Sequence, residues 1–194
     1  EGWAQVIADF KKAAELLPTS YTDIKDKGRA TKGAALGYLG KAYLFTKDFP
    51  NAKDAFKEVI DLQIYSLVSN YRDNFTETNE NNSESLFEVQ FTEGVGTDIN
   101  WCCDPVGSWR QVQAISVTYG MEGAGFSDYL PTRWIYNEYK QEQTVDGKSD
   151  PRLLVTIASF EPADNSTLAY GRPWFNPTNR IYPRKYTNDG VGNG

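Results

Sequence analysis

The 194 residues are enough for one full hydrophobic core, and length alone favours a single domain. A net charge of −6, from 26 acidic and 20 basic residues, argues against a nucleic-acid groove, which needs clustered Lys and Arg. Apolar (40%) and charged (24%) fractions are ordinary, but 14% aromatic, with five Trp and twelve Tyr, asks for a role beyond core packing.

The first segment, "GWAQVIADFKKAAELLP", sets Trp3, Val6 or Ile7, Phe10, Ala13 or Ala14 and Leu17 three or four residues apart, so a helix is expected over 3–17, with Trp3 in its core stripe and Pro18 ending it. No initiator Met precedes this pattern, so the chain reads as a processed product or as part of something longer. No apolar run approaches the roughly 18 residues of a membrane span, and no signal peptide opens the chain. In the next segment Lys25, Lys27, Arg29 and Lys32 alternate with Asp23 and Asp26, the pattern of a solvated loop. A second helix is expected over about 30–47, where Gly33, Gly37 and Gly40 imply close approach of another segment. After a turn at Asp48-Phe49-Pro50-Asn51, a third is expected over about 51–62, with Ala52, Ala55, Phe56, Val59 and Ile60 inward.

Across this pair, Leu39-Gly40, Tyr43, Asp48-Phe49, Ala52 and Phe56 follow the order of a tetratricopeptide repeat, in which small residues let two helices approach and aromatics fill the groove. Val59 and Ile64 stand where Ala and Pro usually follow. Phe10, Ala13 and Pro18 repeat the closing-helix spacing. Phe10 and Phe56 lie 46 residues apart, longer than the usual period of about 34, and the polar loop before Arg29 accounts for the excess. Leu39, Tyr43 and Phe56 should then be buried together.

Beyond Leu62 the chain turns polar and loop-rich. "TETNENNSES" carries alternating oxygen ligands, but without the Gly and terminal Glu spacing of a calcium loop it reads as a solvated loop. Alternation of Phe87, Val89 and Phe91 predicts a strand over Leu86 to Phe91. Residues 92–130 are Gly-rich and irregular. "PTRWIYNEYKQE" is a short helix opened by Pro131; in "DPRLLVTIASF" Asp150 is placed to cap and Pro151 to begin a helix. The tail is loops with at most one strand. The expected class is mainly α: tetratricopeptide-like repeats over 1–64, and a loop-rich, ligand-binding part with short strands over 65–194.

Enzyme chemistry has little support. There is no His for a triad, no Walker loop and no nucleophile elbow, and "GMEGAG" does not follow a clear strand. No catalytic residue, cofactor or metal is therefore expected. Cys102 and Cys103 are adjacent, about 3.8 Å apart at Cα, short of ordinary disulfide geometry; they read as free thiols, with a strained redox pair as the alternative. Two cysteines without His argue against zinc.

Sugar rings offer an apolar face and a hydroxyl rim, so a glycan site needs flat aromatic surfaces beside polar groups. Trp101 and Trp109 bracket an irregular stretch with Asn100, Asp104, Arg110 and Gln111; Trp174 sits beside Tyr170, Arg172 and Asn176. On the 131–142 helix, Ile135 and Tyr139 share the core face, which turns Trp134 about 100° away, toward exposure. The expected platform is Trp134 with Trp101 or Trp109, together with Tyr129 and Trp174, approached by the Gly120–Gly125 loop. Packing of each loop Trp against the scaffold is the competing reading.

"GRATKGAALGYLGKAYLFTKDFPNAKDAFKEVID", then "YSLVSNYRDNF", the Asn-rich tract, "SESLFEVQF", "DPRL" and "YPRKY" in this order resemble the SusD/RagB family of Bacteroidetes outer-membrane lipoproteins for polysaccharide utilization. The resemblance covers nearly the whole chain, in the manner of a central segment. It implies a tetratricopeptide-like scaffold, non-catalytic carbohydrate binding, and nutrient uptake with a SusC-like TonB-dependent transporter at the cell surface, anchored by an N-terminal lipidated cysteine that is not in this segment. A repeat-based adaptor that binds a protein or peptide partner is the alternative.

Overall fold

A computed structural model describes residues 2–91, 118–121, 125–159, 168–169, 172–173 and 180–186. They fall in two compact units: residues 1–69 with 78–90, and residues 70–77 with 91–194.

The first unit is built on three helices, α1 (Gly2–Leu16), α2 (Lys32–Phe45) and α3 (Phe49–Asp61). The Thr31 hydroxyl caps α2 by accepting the Ala34 N–H at 3.3 Å, and the Asp48 carboxylate caps α3 through the Asn51 N–H, also at 3.3 Å. Because Asp48 is the cap and Pro50 fits the first helical turn, the stretch read from sequence as a turn is already helix, and α3 starts at Phe49. The true turn is Thr46–Asp48, where Lys47 takes a left-handed φ of 61° and the Asp48 N–H returns to the Tyr43 carbonyl at 2.9 Å.

α2 packs on both other helices. Ala35, Leu36, Leu39 and Tyr43 are buried with Ala14, Ala52 and Ala55, and Ile7, Phe10, Leu17, Phe56 and Val59 close around them. Leu39, Tyr43 and Phe56 therefore share one core, as the repeat pattern requires. Gly40 shows why: a Cβ there would lie 2.5 Å from the Phe56 ring, so the ring fills the groove only because position 40 is bare. Tyr65 lies in the same way against Gly33, its hydroxyl 3.1 Å from the Thr31 hydroxyl.

Three expectations are corrected. Trp3 is half exposed and stacks on Phe45, ring centroids 5.5 Å apart, while Phe10 stacks on Tyr38 at 5.6 Å. The first turn of α1 faces the last turn of α2 across this antiparallel pair, so the indole meets Phe45, itself 65% exposed, at the rim of the core. Ile60 is exposed, because it lies one helical step, about 100°, beyond the Val59 edge of the inward stripe. Leu86 to Phe91 is not a strand: among the described residues no ladder partner reaches it. Its polar side chains bond instead to the preceding loop. Both Glu88 oxygens accept the Asn81 N–H at 2.9 Å, and the Gln90 and Asn81 amides pair at 2.9 and 3.2 Å. Phe87 and Val89 are left exposed, with Phe87 meeting Tyr38 edge-on.

The second unit contains a 3-10 helix (Tyr71–Phe75), α4 (Arg133–Gln141), α5 (Arg152–Thr156) and four two-residue strands, β1 (Ile157–Ala158), β2 (Leu168–Ala169), β3 (Arg172–Pro173) and β4 (Tyr182–Pro183). Both sheets are antiparallel pairs, β1 with β4 and β2 with β3, so the tail carries three of the short strands where the sequence suggested one. Thr132 caps α4 through the Ile135 N–H. Tyr136, Leu153, Ile157 and Ile181 form the core, with Ile135 and Tyr139 against it. Helices with loop-borne two-residue strands thus make the mainly α, tetratricopeptide-like architecture expected from the sequence.

Candidate functional site

The loop before α4 doubles back on itself. The Gly125 N–H donates to the Met121 carbonyl (2.8 Å), Ser127 donates both its N–H and its hydroxyl to the Gly120 carbonyl (3.0 Å each), and the Asp128 N–H donates to Thr118 (3.2 Å). Ser127 adopts a left-handed φ of 56° to make this turn. The result places Tyr129 on Tyr119, ring centroids 5.4 Å apart and tilted 36°.

Tyr119 begins a longer series. It meets Tyr186 at 5.0 Å; Tyr186 meets Phe75 edge-on at 6.2 Å, and Phe75 meets Tyr71 edge-on at 5.2 Å. Edge-to-face packing uses up the faces of the inner rings, so the group is a rigid support rather than a flat shelf. Tyr129, at its end and 64% exposed, presents an aromatic face to solvent. The Lys185 ammonium lies 5.2 Å from the centroid of Phe75 and 5.1 Å from that of Tyr186.

Two sequence motifs hold these parts. In "YPRKY", Tyr182 and Arg184 are buried. The Arg184 N–H donates to the Thr156 carbonyl (2.8 Å), and its guanidinium donates to Leu154 (3.0 Å). Lys185 and Tyr186 then turn outward. In "DPRL", the Asp150 carboxylate accepts the Arg152 N–H (2.9 Å) and the Arg152 guanidinium through Nε (2.9 Å) and Nη2 (2.6 Å). The carboxylate is buried, while the guanidinium is half exposed and lies over Tyr139 at 5.9 Å. Pro151 stands at the N-cap of α5 rather than in its first turn, and the Asp150 carboxylate accepts the first helical N–H, that of Arg152, from one residue further back.

The Arg152 hydrogen bond holds the Asp150 carboxyl below the ordinary carboxylate range, against the opposing effect of burial. With the folded value depressed, this contribution to stability is complete above the unfolded value and is lost as pH falls through the folded one. Acid unfolding followed by circular dichroism should show it. Asp150→Asn should flatten the loss of stability below about pH 4, and an unchanged acid limb would contradict the pairing.

No family model matches the sequence. Over 90 residues, 46% of this chain, it is 30% identical to a SusD-like protein, P25, of Formosa agariphila. A SusD superfamily protein from Bacteroides vulgatus superposes on 97% of the chain with a TM-score of 0.67 and 26% identity. The chain is SusD-like in both sequence and fold. A laminarin-binding SusD-like protein shares the fold at a TM-score of 0.73 over 97% of the chain, with 24% identity. The chain spans 17% of the length of the F. agariphila relative and 38 and 42% of the two solved chains.

In this SusD-like chain the sequence-predicted site residues fare differently. Trp134 projects from α4, 67% exposed, while Ile135, Tyr136 and Tyr139 turn inward; no ring among the described residues stacks on it. The hydrogen bonds between residues 118–121 and 125–128 carry Tyr129 onto Tyr119 rather than onto Trp134. Trp101, Trp109 and Trp174 lie outside the described residues, as do Cys102 and Cys103. Sequence reasoning missed Tyr71, Phe75, Tyr119, Tyr186 and Lys185. "YRDNF" and "YPRKY" were visible as motifs, yet no spacing rule brings residues 75, 119 and 186 together. Among the described residues no cluster of His, Cys, Asp and Glu could hold a metal ion, and no helix is long and apolar enough to cross a membrane.

Proposed function

We propose that the protein binds an oligosaccharide or polysaccharide without catalysing a reaction on it, capturing glycan for a SusC-like TonB-dependent transporter as part of an outer-membrane, surface-exposed lipoprotein. The observation that carries this reading is the exposed Tyr129 face, propped by the Tyr119–Tyr186–Phe75–Tyr71 series within a SusD-like fold. A ring held rigid before binding loses little freedom when a sugar stacks on it. The laminarin-binding relative lends support by its fold. In this reading Trp134 is a second stacking surface, Trp101, Trp109 and Trp174 complete the site, and residues 1–64 serve as scaffold for the part that follows.

Affinity electrophoresis against a panel of soluble polysaccharides, then calorimetry on the one that binds, tests the proposal. Tyr129→Ala and Trp134→Ala should each weaken binding about thirtyfold, the loss of one aromatic anchor worth about 2 kcal/mol. Phe45→Ala, on the helical scaffold, should leave affinity unchanged. Retention of full affinity in both site variants would overturn the assignment, and binding of peptides in place of glycans would favour an adaptor.

A further inference from the structure

Resting on that glycan reading, we infer that the ligand carries an acidic group, a carboxylate or a sulfate ester, received by Arg152 and Lys185 at the Tyr71–Phe75 end of the ring series. Arg152 is held in one orientation by two contacts. Asp150, nearly buried, takes the Nε–Nη2 edge of the guanidinium, and the Tyr139 ring lies beneath it. A guanidinium has five N–H donors in a planar fork. Asp150 occupies the Nε–Nη2 edge, and with the side chain 53% exposed the Nη1–Nη2 end is left to receive a carboxylate or sulfate through two parallel hydrogen bonds.

α5, which Arg152 begins, packs on the 3-10 helix Tyr71–Phe75, and Tyr71 is among the groups acting electrostatically on the Arg152 guanidinium. Lys185 stands at the Phe75 end, its ammonium over Phe75 and Tyr186, and no carboxylate among the described residues pairs with it. A cation over a ring face denies that face to a sugar and offers a fixed positive charge in its place. The acids nearby are otherwise disposed. Asp73, in the same 3-10 helix, accepts the Asn70 side-chain amide at 3.1 Å, and exposed Asp128 adjoins Tyr129 at the opposite end of the series. Charge thus changes sign along the rings: stacking is left to the Tyr129 end and anion recognition to the other. Because the whole chain carries −6, attraction for an acidic glycan must come from this local pair, and added salt should weaken it.

Calorimetry at low salt with three probes tests the inference: an oligogalacturonate, a sulfated gluco-oligosaccharide and the same gluco-oligosaccharide unsulfated. The acidic probes should bind at least about tenfold more tightly than the neutral one. Lys185→Met, which keeps the packed stem, should close most of that gap, and Arg152→Lys, which leaves Asp150 a cation, should narrow it. Tyr129→Ala should weaken all three probes alike. Whichever acidic probe binds more tightly identifies the group as carboxylate or sulfate. Equal binding of acidic and neutral probes, or a gap that survives both charge variants, overturns the inference while the Tyr129 dependence keeps the glycan reading. Failure of all three probes overturns the inference, and if the polysaccharide panel also fails to bind, the glycan reading goes with it.

Discussion

Tyr136→Ala is expected to lower the stability of the second unit by about 3 to 5 kcal/mol, the range for deleting a large aromatic side chain from a core. Tyr136 is 1% exposed and sits among Leu153, Ile157 and Ile181, which come from α5, β1 and the segment entering β4. Its ring is the common partner of elements that otherwise make few contacts, since two-residue strands contribute little pairing of their own. Denaturant unfolding followed by aromatic fluorescence and circular dichroism would measure the loss. Tyr136→Phe keeps the ring and removes only the hydroxyl, which lies 3.4 Å from the Ser159 hydroxyl. That change should cost no more than about 1 kcal/mol. If Tyr136→Ala unfolds no earlier than Tyr136→Phe, the ring is not the centre of this core.

The second large effect is a reversal of sign between two residues of the repeat pair. Phe56→Ala should destabilise the first unit by about 3 kcal/mol, toward the lower end of the range because the ring is partly exposed. Gly40→Ala in the native background should also destabilise, since the new Cβ would fall 2.5 Å from the Phe56 ring and overpacking of this kind typically costs about 1 to 3 kcal/mol. In the Phe56→Ala background the obstruction is gone, and Gly40→Ala should instead stabilise by roughly 1 kcal/mol, the helix-propensity difference between the two residues. Thermal melts of the four proteins form a double-mutant cycle. Additive effects would show that position 40 is small for some reason other than this ring.

Both cases bear on what a linear reading can recover. The three repeat helices were legible because each buries one face in a local, periodic pattern and each start carries its own signal, Thr31 for α2 and Asp48 for α3. Trp3, Ile60 and the 86–91 segment were misplaced for a shared reason. Periodicity says which residues lie on a common face, but not where a neighbouring element ends or whether a partner strand exists. Glu88 and Gln90, read as the outward half of a strand, bind the Asn81 loop because backbone donors there had no ladder to join.

At the candidate site the division is sharper. Trp134 could be turned outward from sequence, since its helix supplies the 100° rotation that separates it from Ile135 and Tyr139. Tyr129 could be named, but not its support: Tyr71, Phe75, Tyr119 and Tyr186 are drawn from three stretches of chain separated by loops, and each alone looks like an ordinary tyrosine or phenylalanine.

The sequence by itself determined the helical class, the repeat pair and the likeness to SusD-like proteins, because these rest on contacts between residues close in the chain and on the order of short motifs. Only the tertiary structure decided that Phe75 of "YRDNF" meets Tyr186 of "YPRKY" and that Lys185 stands over Phe75. Those arrangements depend on distances between residues more than a hundred positions apart, and no local propensity encodes such a distance.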